Sequence, residues 1–242
     1  MKNKNLLNDV KNTILDLSCV ICGNKDFSKE IDFICSDCFK SFEKLNTDNN
    51  ICKICGHTLD SGNYCPSCSL LKNIYYDSYK FIQYYTGFFK NIIRMWKKED
   101  NFMINKLFFH LLINKNLLSK EIPITVVPDT KFKTIKRGRA GLHYLLFLLK
   151  KNGFYTLENI YKKKFILFSS QKNKSQENRF SDIQNLYFLP KKNVNKFKGE
   201  IILIDDIYTT GSTLNYGSKL LKEAGFSKVH TITFFRTIFD KK

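Results

Sequence analysis

The stretch Ile201-Ile202-Leu203-Ile204-Asp205-Asp206-Ile207-Tyr208-Thr209-Thr210-Gly211-Ser212-Thr213 constrains the fold more than any other. A continuous apolar run of this kind reads as a strand buried on both faces, as in a parallel sheet. Ligands of such sheets sit at the carboxyl ends of the strands, where Asp205 and Asp206 fall. Adjacent carboxylates repel each other unless a cation or ligand hydroxyls engage them. Thr209 to Thr213 then supplies hydroxyls, and Gly211 lets backbone N–H groups approach a ligand closely. Leu214, Leu220, Leu221 and Ala224 follow at roughly helical spacing. The loop therefore opens a helix, whose orphan N–H groups and dipole favour a phosphate.

Two rival readings of this stretch fare worse. An ordinary acidic turn does not require so many hydroxyls in one loop. A strand ending in Asp also suits an ATPase, but that reading needs a Gly-Lys-Ser/Thr phosphate loop. Gly217-Ser218-Lys219 comes nearest, with the wrong order and spacing.

All eight cysteines fall in four Cys-x-x-Cys pairs: Cys19/Cys22, Cys35/Cys38, Cys52/Cys55 and Cys65/Cys68. A two-residue gap lets both thiolates of a knuckle face one ion, and two knuckles complete a tetrahedron. Four pairs therefore predict two structural zinc sites. Sequential pairing is the simplest; an interleaved arrangement also satisfies the spacing. Disulfides fit poorly, because nothing in the sequence indicates secretion, and the regular pairing favours zinc over an iron–sulfur cluster. His57 is expected to be a bystander. Residues 19–72 leave little room for an apolar core, so metal is expected to supply much of their folding energy.

The 242 residues suffice for one α/β domain and a small appendage. The net charge of +18 favours a polyanionic ligand, although it reflects a chain crowded with lysine. Against that background the five arginines stand out, since arginine binds phosphate bidentately. Asp9, Lys11 and Asp16 interrupt the first eighteen residues, so no secretory leader is expected and the protein is expected in the cytoplasm. No run approaches a membrane span. Leu6, Val10, Ile14 and Leu17 predict a short amphipathic helix instead.

Strands are predicted over 78–85, 122–127, 161–168 and 228–236, and helices over 88–98, 102–118 and from Arg139 to about Leu149. Phe89 and Trp96 belong to an apolar helix face. Between Lys131 and Arg139 a cluster of cations follows a strand end, which suits anion binding. The polar segment 169–182 reads as a lid or a linker.

Residues 201–213 resemble, without a gap, the phosphoribosyl pyrophosphate (PRPP) signature of type I phosphoribosyltransferases. The resemblance implies that Asp205 and Asp206 hold the ribose hydroxyls and that Thr209, Thr210, Gly211, Ser212 and Thr213 wrap the 5′-phosphate. With the four cysteine pairs in front, the chain resembles the ComF family of bacterial competence-associated proteins. In that family a Val-Pro strand end precedes a basic loop and Arg-Gly-Phe-Asn-Gln. Val127-Pro128 and Arg137-Gly138 match, whereas Arg139-Ala140-Gly141 departs. Gln171, Ser175 and Arg179 resemble a further Gln…Ser…Arg segment, with Asp182 where Asn is usual.

The resemblance implies an α/β fold: a type I phosphoribosyltransferase-like parallel sheet flanked by helices, with a small N-terminal double zinc ribbon. The expected domains are 1–72 and 73–242. Asp205, Asp206 and Arg137 are the expected catalytic residues. Lys136, Arg137 and Arg179 join the signature in binding PRPP with Mg²⁺, and the eight cysteines hold two zinc ions. Implied partners are PRPP, single-stranded DNA and the competence helicase machinery, without membrane insertion. Three functions follow from the resemblance: transfer of phosphoribose to an acceptor, a non-catalytic DNA-binding adaptor, or a PRPP-sensing regulator.

Overall fold

The computed structural model describes residues 18–26, 31–43, 50–69, 73–99, 101–129, 141–164 and 184–238. The chain divides into two compact units, Met1–Thr47 and Asp48–Lys242. Within the first, helix α1 (Ser36–Glu43) follows Cys35, and Ile31, Ile34, Phe39 and Phe42 are buried. The predicted N-terminal helix lies outside the described residues.

The second unit is built on four parallel strands in the order β1-β6-β5-β2: β1 (Ser78–Tyr84), β2 (Ile124–Val126), β5 (Glu200–Tyr208) and β6 (Lys228–Arg236). Ile201 to Ile204 are at most 4% exposed, as expected of a strand covered on both faces. Ile201 and Leu203 pack with Leu214, Leu220 and Leu221 of helix α6 (Ser212–Glu223). Elsewhere in this unit, Trp96 of α3 (Gly87–Lys98) meets Phe108 of α4 (Met103–Asn114) edge to face at 5.2 Å. Phe108 in turn stacks on Phe234 of β6 at 3.8 Å. Each such fully buried side chain contributes about 1.5–3 kcal/mol relative to leaving it in water. Trp96 is thus a core residue, as its place on an apolar helix face predicts.

The strand carrying the acidic pair does not stop at Ile204. It runs on to Tyr208, because β6 continues beside it: Asp205 pairs with Thr233, Ile207 with Phe235 and Tyr208 with Arg236. Of the predicted strand 161–168, the described part contains only β3 (Lys162–Lys163), paired antiparallel with β4 (Tyr187–Phe188); residues 165–168 lie outside it. Between Ser36–Glu43 and α3 there is also a one-turn helix α2 (Pro66–Ser69), and α5 spans Leu142–Lys151.

Chain connections diverge between β2 and β5. From β5 the chain passes through α6 to β6 on one side. From β2 it passes to Thr156, which bridges to Ile124 on the other. Such a divergence opens a crevice at the strand ends, the usual ligand position in open α/β sheets.

Candidate phosphate-binding site and metal centres

The crevice is a cavity of about 220 Å³. Val127 to Asp129 at the end of β2, Asp205 and Asp206 near the end of β5, and Thr213 in the first turn of α6 all line it. Gly141, Leu142 and His143 at the start of α5, Trp96 and Lys97 of α3, Lys163 of β3 and Tyr187 of β4 complete the wall. Lys136, Arg137, Arg139, Gln171, Ser175, Arg179 and Asp182 lie outside the described residues.

Successive strand residues point to opposite faces. Asp205 therefore falls on the side of Ile201 and Leu203, and Asp206 on the side where α3 supplies Lys97. The Lys97 ammonium forms an ion pair with Asp206 Oδ2. Asp205 Oδ1 accepts the Asp206 backbone N–H at 2.8 Å. Burial, and then the neighbouring Asp206 carboxylate, push Asp205 up to about 8, while the Asp206 N–H, Lys97 and Lys163 pull it down. The alternation separates the two side chains, but it leaves Asp205 short of compensating charge, a place for ligand donors or a cation.

The hydroxyl loop makes a tight entry to α6. Gly211 caps the helix in the left-handed region at φ 77°, and a Cβ there would run into the Tyr208 ring and hydroxyl. Thr210 Oγ1 and Ser212 Oγ are 2.9 Å apart. Of the loop, Thr213 lines the cavity; Thr209, Thr210, Gly211 and Ser212 form the turn leading into it. Gly211 at the cap of α6 brings no side chain to the helix start; the Ser212 N–H reaches Thr210 Oγ1 at 3.5 Å, a long contact that an anion at the helix N-terminus can replace. Sequence reasoning did not assign Lys97, Lys163, Tyr187 or Asp129 to the site. Lys97 carries no local signal: it reads as one of two basic residues closing a helix.

The cysteines fall into two clusters, Cys19/Cys22/Cys35/Cys38 and Cys52/Cys55/Cys65/Cys68, each with all four sulfurs within 4.8 Å of one another. This settles the pairing as sequential. Cys22 and Cys35 Sγ are 3.5 Å apart, Cys55 and Cys65 Sγ 3.7 Å. Tetrahedral zinc with sulfur arms of about 2.3 Å sets neighbouring sulfurs about 3.8 Å apart, so both clusters fit zinc. The knuckles also repeat one another. Cys19 N–H donates to Asn24 O and Cys52 N–H to His57 O, both at 2.7 Å, while Gly23 and Gly56 N–H return to Cys19 and Cys52 O. His57 contributes its backbone there and belongs to neither cluster.

The second cluster is not a core-poor appendage. Its cysteines are buried together with Val127, Ile201, Leu203, Tyr208 and Leu214, so the apolar cover that residues 19–72 have little room to build for themselves comes, at this cluster, from the strands and helix of the sheet. Tyr208 OH lies 3.3 Å from Tyr76 OH, and Tyr76 OH donates to Ile54 O, inside the knuckle, at 3.0 Å. Tyr79 packs on Tyr208 with ring centroids 4.6 Å apart. Gly56 sits so close to Phe81 and Tyr79 that a Cβ would collide with the Phe81 ring. The hydrogen bond between Cys55 and Cys68 pulls the Cys55 thiol down and pushes the Cys68 thiol up, and the Arg236 guanidinium adds to the lowering at Cys55.

A parallel sheet with an acid pair and a hydroxyl loop at one crevice, together with two four-cysteine centres, defines a phosphoribosyltransferase fold carrying zinc ribbons. Residues 10–69 match the double zinc ribbon domain, and residues 160–242 match the phosphoribosyl transferase domain. The chain is 32% identical over 225 residues to competence protein ComFC of Streptococcus pneumoniae, covering 93% of this chain and 95% of the relative. It is 24% identical to competence protein ComFC of Bacillus subtilis (95% and 99% covered) and 26% identical to competence protein F of Haemophilus influenzae (87% and 93%). The chain belongs to the ComF family. Among the described residues no helix is long and apolar enough to cross a membrane.

Proposed function

We propose that the crevice binds PRPP with Mg²⁺ and that the protein transfers phosphoribose from PRPP to an acceptor during the uptake of DNA. The observation that carries this reading is the placement of Asp205 and Asp206 on one cavity with Thr213 at the start of α6. Asp205 and Asp206 hold the ribose hydroxyls, and the turn from Thr209 to Thr213 holds the 5′-phosphate through N–H and hydroxyl donors. Mg²⁺ is an oxygen-seeking cation that the two carboxylates suit, and it offsets the charge of the pyrophosphate. In the transfer, the bond from the anomeric carbon to pyrophosphate breaks with its electron pair leaving on oxygen. A lone pair of the acceptor forms the new bond. Arg137 with Lys136 and Arg179 are proposed to stabilise the departing anion.

The names of the relatives support a role in competence, and the net charge of +18 supports handling of a polyanion such as single-stranded DNA. Incubation with PRPP, Mg²⁺ and a panel of nucleobase and nucleic-acid acceptors tests the enzymatic reading: acceptor-dependent release of pyrophosphate is expected. Salt-dependent single-strand binding that ignores PRPP, without release, would favour an adaptor instead. PRPP-dependent changes in DNA binding without release would favour a sensor.

A further inference from the structure

We propose that Lys97 is a ligand-responsive counter-cation: it neutralises Asp206 while the crevice is free and passes its ammonium to the pyrophosphate of PRPP when sugar and metal take over that carboxylate. This deepens the PRPP reading above and depends on it.

Three observations carry the inference. First, the pair spans two elements that are separately pinned. Asp206 sits in β5, and Lys97 follows Trp96, which is 1% exposed and locked against Phe108. The backbone at Lys97 is therefore fixed, while its four-carbon stem can re-aim the ammonium by rotamer changes alone. Second, the pair is only partly buried, with side-chain exposures of 28% for Lys97 and 20% for Asp206. Both residues line the cavity, so the contact opens onto the space that a ligand fills. Third, the charges require an exchange. Three carboxylates, Asp129, Asp205 and Asp206, share the cavity wall with the ammonium groups of Lys97 and Lys163. A cation that arrives with the ligand and engages Asp206 displaces Lys97 by like-charge repulsion. A displaced ammonium on a half-buried wall needs a new anion. In the reading above the start of α6 serves the 5′-phosphate, and the pyrophosphate is the new anion that the ligand brings to the cavity that Lys97 lines.

The molecule provides its own reporter. Trp96 is the sole tryptophan of the chain and lines the cavity beside Lys97, and its Nε1 has no hydrogen-bond partner among the described residues. Intrinsic fluorescence can therefore follow titrations of the full chain with PRPP and with ribose 5-phosphate, both in Mg²⁺. Ribose 5-phosphate offers the same sugar and 5′-phosphate without the pyrophosphate. Calorimetry gives the same constants without relying on Trp96.

Lys97→Met is expected to weaken PRPP by about tenfold or more, the loss typical of a charge-assisted hydrogen bond. Ribose 5-phosphate should bind Lys97→Met as well as or better than wild type, because competition for Asp206 is gone. Lys97→Arg should keep most of the preference for PRPP, which separates loss of charge from loss of fold. Equal weakening of both ligands by Lys97→Met, or no change in either, would overturn the inference while leaving the PRPP reading in place. Failure of the wild type to bind either ligand would overturn the PRPP reading, and this inference with it.

Discussion

The guanidinium of Arg236 donates through Nε to the carbonyl of Cys55 and lies, through Nη2, 3.5 Å from the Cys55 sulfur. Arg236 is 1% exposed and ends β6, beside Tyr208 of β5. The last strand of the sheet is thus fastened to a metal knuckle by a buried cation. Four thiolates around one divalent ion carry two surplus negative charges, and the guanidinium offsets part of that surplus. Its Cζ also lies over the Tyr208 ring, 5.4 Å from the centroid. One residue thereby ties the second metal centre to the strand that leads into the hydroxyl loop.

Replacement of Arg236 by Met should consequently act on metal and fold together. Zinc affinity of the second cluster should fall by about tenfold to a hundredfold, the usual cost of losing an outer partner of a metal ligand. Competition with a chromophoric chelator measures this. Thermal unfolding should shift down as well, since removing one partner of a buried charged contact costs about 3–5 kcal/mol. An unchanged affinity for zinc would remove Arg236 from the metal centre.

Gly211 should tolerate no side chain. The left-handed backbone alone costs a residue such as alanine about 1–2 kcal/mol, and the added Cβ also meets the Tyr208 ring. Tyr208 cannot yield freely, because Tyr76 and Tyr79 hold it on the knuckle side. Gly211→Ala is expected to lower stability by more than the backbone cost and to abolish binding of ribose 5-phosphate. Chemical denaturation and calorimetry check the two parts. Full phosphate binding in the variant would show that the turn does not shape the anion site.

Ligand binding should depend on pH through Asp205. Burial and Asp206 raise its folded value to about 8, against an unfolded value of about 3.9. Between those values the folded chain binds the extra proton. The raised carboxyl thus costs stability progressively as pH climbs from the unfolded to the folded value. Among the described residues, the titratable and charged groups around Asp205 are Asp206, Lys97, Lys163, Asp129, His143, Tyr161 and Tyr187. A cation that engages Asp205 must expel its proton, so affinity for PRPP with Mg²⁺ should rise with pH up to about 8 and then level. Calorimetry near neutral pH, in buffers of different ionisation enthalpy, should register proton release. Asp205→Asn should lose that release; its persistence in the variant would assign the proton elsewhere.

Legibility in the sequence followed the range of the interactions involved. The apolar run 201–204 and the terminal strand Lys228–Arg236 were readable because burial on two faces leaves a continuous local pattern. The cysteine spacing fixed the number of metal centres, but only the fold could decide their pairing, since every knuckle has the same local form. The extension of β5 through Asp205 and Asp206 was hidden because its backbone partners come from β6. β3 and β4, two residues each, are too short to show any periodicity. The partners of Lys97 and Arg236 were invisible for the same reason: each contacts a residue distant in the chain, Asp206 and Cys55 respectively. The basic loop and Arg179 remain expectations from sequence, since they lie outside the described residues.

The central claim is that the acid pair at the end of β5 grips a sugar phosphate. Calorimetric titration of PRPP with Mg²⁺ into wild type and into the Asp205→Asn/Asp206→Asn double variant tests it most directly, with retained zinc confirming that the ribbons stay folded. Both amides keep the size of the side chains they replace and remove their charge. Binding should be lost in the variant and present in the wild type. Equal affinity in the two proteins would contradict the account.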